Sequence, residues 1–211
     1  MTTCPTCRGK FIPTRNLVLE KMASRAKRPC LNVSYGCTEK FTLDVMEQHD
    51  RVCPYRMYDC VQTNCKWQGI RSFIKQHFKE KHPESMFELK NELNLSYKKI
   101  SLENDCSFNY LFFKSDELFW YRSVRDSDKK TLSEVVQYIG PKENACKYVY
   151  EIVITTKARD QTVRVANVVR SDIEDLATIF EARNCFVMDF GMLKKFIVDG
   201  CYSYKIKMTK S

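Results

Sequence analysis

Two four-donor sets of cysteine and histidine, set in tandem, constrain this chain more than any other feature. They read Cys30-x6-Cys37-x11-His49-x3-Cys53 and Cys60-x4-Cys65-x11-His77-x4-His82, and they take in all three histidines of the sequence. Zn²⁺ is held by four nitrogen or sulfur donors at a tetrahedral point, and a structural site leaves no position open for substrate. Each set supplies four donors and no spare, so the spacing predicts two structural zinc ions. Catalytic zinc would need an open position and a general base, and neither His-Glu-x-x-His nor His-x-Glu with Pro-Cys-x-x-Cys occurs here. With no histidine outside the two sets, Cys-His nucleophilic catalysis has no base to use.

The rest of the sequence frames these sites. The 211 residues suit one or two domains, and 44% hydrophobic content is enough for a packed core. Eleven cysteines is an odd count that internal disulfides alone cannot close. No run approaches the roughly 18 apolar residues of a membrane span, and no apolar signal segment follows Met1. The expectation is an intracellular protein, cytoplasmic with the nucleus also open, with no membrane partner. There, reduced thiols favour metal over disulfides. The formal charge is +9, and two Zn²⁺ with five thiolates lower it by only one. The lysines are spread along the chain without a block of like charge, so charge by itself selects no partner.

Hydrophobic periodicity divides the chain. Residues 1–15 hold the turn Cys4-Pro5-Thr6-Cys7-Arg8. From Asn16 to Lys27, Leu17, Val18, Leu19, Met22, Ala23 and Ala26 approximate a helical stripe that Pro29 ends. In the zinc region, a helix from near Thr42 is expected to carry His49 and Cys53 on one face. Another from about Ser72 should carry His77, with His82 at or past its end. Phe41, Leu43, Val45 and Met46, then Trp67, Ile70, Phe73, Ile74 and Phe78, make two cores too small to fold without metal. Residues 83–97 connect and look partly helical through Met86, Phe87, Leu89 and Leu93.

From Ser101 the period becomes two. Strands are expected over Phe108–Lys114, Leu118–Val124, Leu132–Ile139, Tyr148–Thr156, Thr162–Val169, Cys185–Phe190 and a last one with Tyr202, Tyr204, Ile206 and Met208 on one face. Turn residues separate them: Ser115-Asp116, Asp126-Ser127-Asp128, Gly140-Pro141 and Arg159-Asp160. This pattern predicts an antiparallel β-sandwich. Ser171 with Glu174 reads as a capping box for a helix carrying Ile173, Leu176, Ala177 and Phe180. Met192–Val198 reads as a further short helix. Cys106, Cys146, Cys185 and Cys201 are expected as small core hydrophobes.

The residues also resemble a known family, the seven-in-absentia (SIAH-type) RING ubiquitin ligases. The likeness runs through Cys4-Pro5-Thr6-Cys7-Arg8-Gly9, Arg15-Asn16-Leu17, Glu20-Lys21, Ala23, Pro29-Cys30, Gly36-Cys37, His49, Cys53, Tyr58 and Cys60. It continues through Cys65-Lys66-Trp67-Gln68-Gly69, His77, His82, Val136-Gln137-Tyr138-Ile139-Gly140, Arg170-Ser171-Asp172-Ile173 and Cys185-Phe186-Val187-Met188-Asp189. The resemblance implies a fold that is α+β and mostly β: a C-terminal RING remnant at 1–15, a linking helix at 16–28, tandem zinc fingers at 29–83, and a TRAF-like sandwich at 84–211. It implies substrate proteins bound as extended peptides by β-augmentation and a homodimer, or a heterodimer with RING-containing relatives. Catalysis would be by orientation, without a covalent intermediate.

Cys4 and Cys7 match the last two RING ligands, and the other six have no match. Recruitment of a ubiquitin-charged E2 is therefore expected only if a complete RING is supplied. The chain would be a truncated ligase, or an adaptor that dampens its relatives in mixed dimers. The tryptophan that resembling proteins use in the peptide groove aligns near Ile100. A competing reading is a nucleic-acid-binding finger protein presenting Lys75, Lys79 and Lys81 to phosphates. Base readout of that kind needs further tandem fingers with matched linkers, where a large sandwich follows instead.

Overall fold

The computed structural model describes residues 3, 4, 6–10, 15–98 and 100–210. By contacts these form two compact units, Met1–Cys53 and Pro54–Ser211. This boundary falls between the two fingers, not after them. The second finger belongs to the same unit as the sandwich.

In the first unit, α1 spans Leu17–Arg25. Asn16 caps it by accepting from the Leu19 N–H at 3.1 Å, with Glu20 in the first turn and Arg25 in the last to complement the helix dipole. The helix stops at Ala26, short of the expected Lys27. Its apolar stripe is left largely open: Val18 is 69% and Met22 64% exposed. Strands β1 (Arg28–Pro29) and β2 (Lys40–Phe41) form a small antiparallel ribbon. Helix α2 (Leu43–Val52) follows, and Cys53 lies just past its end. Among the described residues the core cluster of this unit is Cys30, Cys37 and Cys53.

The second unit opens with the hairpin β3 (Met57–Asp59) and β4 (Gln68–Ile70), then α3 (Arg71–Lys81), which ends at His82. Next come β5 (Met86–Glu88), β6 (Glu92–Tyr97), β7 (Cys106–Lys114), β8 (Glu117–Asp126) and β9 (Thr131–Tyr138). Helix α4 (Lys142–Ala145), β10 (Tyr148–Thr155), β11 (Thr162–Val168) and β12 (Arg170–Ser171) come after these. The chain ends with α5 (Leu176–Glu181), β13 (Phe186–Asp189), α6 (Phe190–Leu193), β14 (Ile197–Val198) and β15 (Cys201–Lys210).

Two sheets pack face to face. One contains β11, β10, β15, β14 and β6; the other contains β12, β13, β9, β8, β7 and β5. The alternation expected for the last strand is present, with Tyr202, Tyr204, Ile206 and Met208 turned into the core. The core between the sheets is rich in tyrosine. Tyr97, Tyr121, Tyr202 and Tyr204 are buried in it, and the hydroxyls of Tyr121 and Tyr204 bond to each other. The turns at Ser115 and Arg159 adopt the left-handed backbone that tight hairpins use.

Five expectations are corrected. Within 83–97 the helical part is confined to a 3₁₀ turn at Pro83–Ser85, and the rest carries two strands, because Met86–Glu88 finds a parallel partner in β7 and Leu93, Leu95 and Tyr97 alternate against β15. The sandwich is thus not wholly antiparallel: β5 with β7 and β12 with β9 are parallel pairs. Ser171 lies in β12 instead of capping a helix, and α5 is capped by Asp175, which accepts from Thr178 N at 2.9 Å. The Glu174 carboxylate still reaches back to the Ser171 N–H at 2.9 Å, so the sequence signature marks a real contact in a different element. Met192–Val198 divides among α6, a 3₁₀ turn and β14. Among the four strand-region cysteines, Cys185 is buried, Cys106 and Cys201 are half-buried, and Cys146 is exposed.

Candidate metal centres

Both donor sets assemble. Within each, one donor atom from every residue lies within 4.8 Å of the others: Cys30, Cys37, His49 and Cys53 in one cluster, Cys60, Cys65, His77 and His82 in the other. Among the described residues no other group of three or more His, Cys, Asp or Glu does this. The local folding follows the spacing. In the first finger, the β1–β2 ribbon and the turn between its strands bring Cys30 and Cys37 in from one side, and α2 offers His49 from the other. In the second, Cys60 and Cys65 bracket the loop between β3 and β4. There His77 is buried on α3, and His82 is its C-cap.

The distances fit a tetrahedral ion. Cys30 Sγ and Cys53 Sγ are 3.8 Å apart, and His49 Nε2 lies 3.2 Å from Cys30 Sγ and 3.5 Å from Cys37 Sγ. Cys65 Sγ and His77 Nε2 are 3.5 Å apart. A tetrahedron with metal–sulfur bonds of about 2.3 Å has sulfur–sulfur edges of about 3.8 Å, and slightly shorter sulfur–nitrogen edges. His82 Nε2 is buried without a hydrogen-bond partner, an orphan that a metal ion would satisfy. Burial pushes the Cys60 thiol up to about 11 and holds the His77 imidazole below its usual range. Both shifts describe donors removed from water, which a cation would compensate. The two clusters are consistent with two zinc sites.

Each cluster has its own supporting shell, which spacing alone did not reveal. The Asn32 N–H points at Cys30 Sγ at 3.3 Å, and the Asn32 side chain also donates to Asp50 Oδ1 at 3.0 Å. In the second finger, Trp67 stacks on His77 with ring centroids 4.3 Å apart. Gly69 permits this stack, since a Cβ there would come within 2.4 Å of the indole.

The second finger is docked on the sandwich. Tyr58, Ile74 and Phe78 pack with Leu111, Leu118, Trp120 and Ile139 in one cluster. The buried Arg56 pairs with Asp172 at 2.6 Å, and Arg71 bonds the Ile139 carbonyl at 2.7 Å and Glu117 at 3.1 Å. Lys75, read as a phosphate contact, lies over the Phe113 ring of β7 at 4.2 Å, so this face of α3 meets the sheet. Arg56 and Asp172 carry no spacing signal that a sequence reading could use.

Cys4 and Cys7 join neither cluster. They sit in a tight turn in which Arg8 N donates to Cys4 O and Cys4 N to Gly9 O, both at 2.9 Å. Backbone N–H groups of Cys7 and Thr6 hold the Cys4 thiol below its usual range. Pro5 of this motif lies outside the described residues.

Among the described residues no helix is long and apolar enough to cross a membrane. Comparison with known proteins matches residues 21–97 to the model described as Sina, zinc finger, and residues 111–209 to that described as Sina, TRAF-like domain. The chain is 28% identical to E3 ubiquitin-protein ligase sina of Drosophila melanogaster over 209 residues, covering 95% of this chain and 65% of that protein. It is 28% identical to E3 ubiquitin-protein ligase siah-1 of Caenorhabditis briggsae, covering 98% of this chain and 49% of that protein. Against siah2 of Xenopus laevis it is 27% identical, covering 95% and 65%. The chain thus spans between about half and two thirds of the length of these relatives.

Proposed function

This chain belongs to the seven-in-absentia family, and from that premise we propose that it holds target proteins for ubiquitination, as the substrate-recognition and dimerising part of a ligase of this type. In this reading Cys30, Cys37, His49 and Cys53 hold one structural zinc ion, and Cys60, Cys65, His77 and His82 hold another. The metal supplies cross-links that fingers of this size cannot replace with a hydrophobic core. The sandwich supplies the binding surface.

The observation that carries the reading is the free edge of β6. Among the described residues its one strand partner is β15, so the N–H and C=O groups along its other side remain available to an added strand. Leu93, Leu95 and Tyr97 point inward, while Glu92, Asn94 and Ser96 face out. A cavity of about 270 Å³ is lined by Asn94 and Ser96 of β6 with Ser203 and Lys205 of β15 and Val153 of β10. An extended peptide would take its affinity from main-chain bonds to this edge and part of its specificity from a side chain reaching that cavity. Transfer of ubiquitin to the held target then depends on orientation, with a complete RING engaging the E2. Mixed dimers with a RING-containing relative would bring that RING to the target.

Native mass spectrometry should find two zinc ions per chain, and light scattering should find a dimer. Hydrogen exchange on the chain with a captured target peptide should show new protection at Glu92–Tyr97. Protection elsewhere with none on β6, or a strictly monomeric chain, would overturn this assignment.

A further inference from the structure

The two clusters are supported in different ways. At the first, the groups around the Cys30 sulfur come from the finger itself, through Asn32 and Asp50. At the second, the thiol-bearing loop is gripped by two strands of the sandwich.

That loop, Cys60 to Cys65, carries two of the four donors and is only loosely tied within itself. Cys65 N reaches Gln62 O at 3.2 Å, and Asn64 adopts a left-handed backbone. Asn109 on β7 and Arg122 on β8 are direct cross-strand partners. Gln62 Nε2 donates to the Asn109 carbonyl at 2.6 Å, and Asn109 Nδ2 donates to the Val61 carbonyl at 3.2 Å. Arg122 donates to Asn109 Oδ1 at 3.0 Å. The last contact matters chemically. A guanidinium has only donors, so it fixes the amide oxygen on its own side and turns the amide NH₂ toward Val61. Arg122 is near enough to Asp172 and Cys60 for their charges to act on it, and its Nε is buried without a hydrogen-bond partner.

We propose that Asn109 and Arg122 are positioning residues of the second metal centre: through Val61 and Gln62 they hold the Cys60–Cys65 loop in the shape that offers both thiolates to one ion. The sandwich therefore grips the thiolate-bearing loop of the second ion together with its finger. This rests on the zinc reading above. A metal-ligating group is oriented by its outer partners, and losing such a partner costs about 10- to 100-fold in metal affinity.

The test uses the zinc-loaded 211-residue chain and a coloured chelator that reports zinc release. Wild type should release zinc in a fast and a slow phase, and Cys37→Ser should abolish the fast one, assigning it to the first cluster. Asn109→Ala and Arg122→Ala should speed the slow phase by about tenfold or more and leave the fast phase unchanged. Arg122→Lys, which keeps the charge but not the planar fork, should fall between. Circular dichroism of the loaded variants checks their fold, and Gln62→Ala removes one contact to β7 without changing a residue of the sandwich. In cobalt-loaded protein, Arg122→Ala should also shift the thiolate-to-metal charge-transfer bands, which general loosening would not do. A slow phase that is unchanged in all these variants would overturn the proposal, as would both phases accelerating together. Fewer than two zinc ions in wild type would overturn the zinc reading itself, and the two failures are told apart by the metal count.

Discussion

Glu134 places a carboxyl at 0% accessibility in the sandwich, beside the Tyr121 hydroxyl. Ser123 donates to it at 3.3 Å, yet Oε2 has no partner. Burial raises it to about 7, an effect softened by the Tyr121 and Ser123 hydroxyls. The fold thus favours the neutral acid. Its contribution is fully present below the unfolded value of about 4.3 and is lost as pH rises to about 7. Glu134→Gln should remove this loss, raising stability relative to wild type by an amount of order 3 kcal/mol at pH 8 and by little at pH 4.5. Urea unfolding at both pH values measures it, and an equal difference at the two would refute the assignment.

Arg56 and Asp172 make the opposite case, a paired buried charge. Burial raises the Asp172 carboxyl and Arg56 pulls it back. Arg56→Ala leaves the buried carboxylate without its cation, with an expected loss of about 3–5 kcal/mol. Arg56→Ala with Asp172→Asn should recover part of it, and denaturant midpoints of the two variants decide this.

At the scale of elements, helix ends and strand edges depend on which backbone groups find partners. The box formed by Ser171 and Glu174 was legible, but β9 takes the Ser171 backbone into a sheet, and the helix begins only after Asp175. Asp175→Ala should therefore cost about 1 kcal/mol, while Ser171→Ala should cost no capping energy. Thermal melts of the two variants compare them directly. Residues 86–97 teach the same lesson from the other side. Met86, Phe87, Leu89 and Leu93 suit helical spacing, but β7 and β15 offer open edges, and their hydrogen bonds outweigh a weak local preference.

At the scale of the molecule, the two units differ in what holds them. The first buries three cysteines as its core cluster, and α2 buries only Met46. The second has a continuous core across two sheets. Stripping both metals with a strong chelator should abolish amide protection over Leu43–Val52. Protection in β8 and β9 should persist. Hydrogen exchange with mass spectrometry resolves the two regions, and a first finger that stays protected after chelation would contradict a metal-held fold.

What the sequence determined by itself was whatever depends on short covalent spacing. The two donor sets, the helices carrying His49 and His77, and the alternating strands from Phe108 to Met208 are local patterns with periods fixed by backbone geometry. The tertiary structure alone decided which distant groups meet. The docking of Ile74 and Phe78 on Leu111 and Trp120, the Arg56–Asp172 pair, the Asn109–Arg122 grip on the Cys60–Cys65 loop and the two parallel strand pairings join residues tens of positions apart. Such contacts depend on the register of whole sheets, and a sheet's register is a property of all its strands at once.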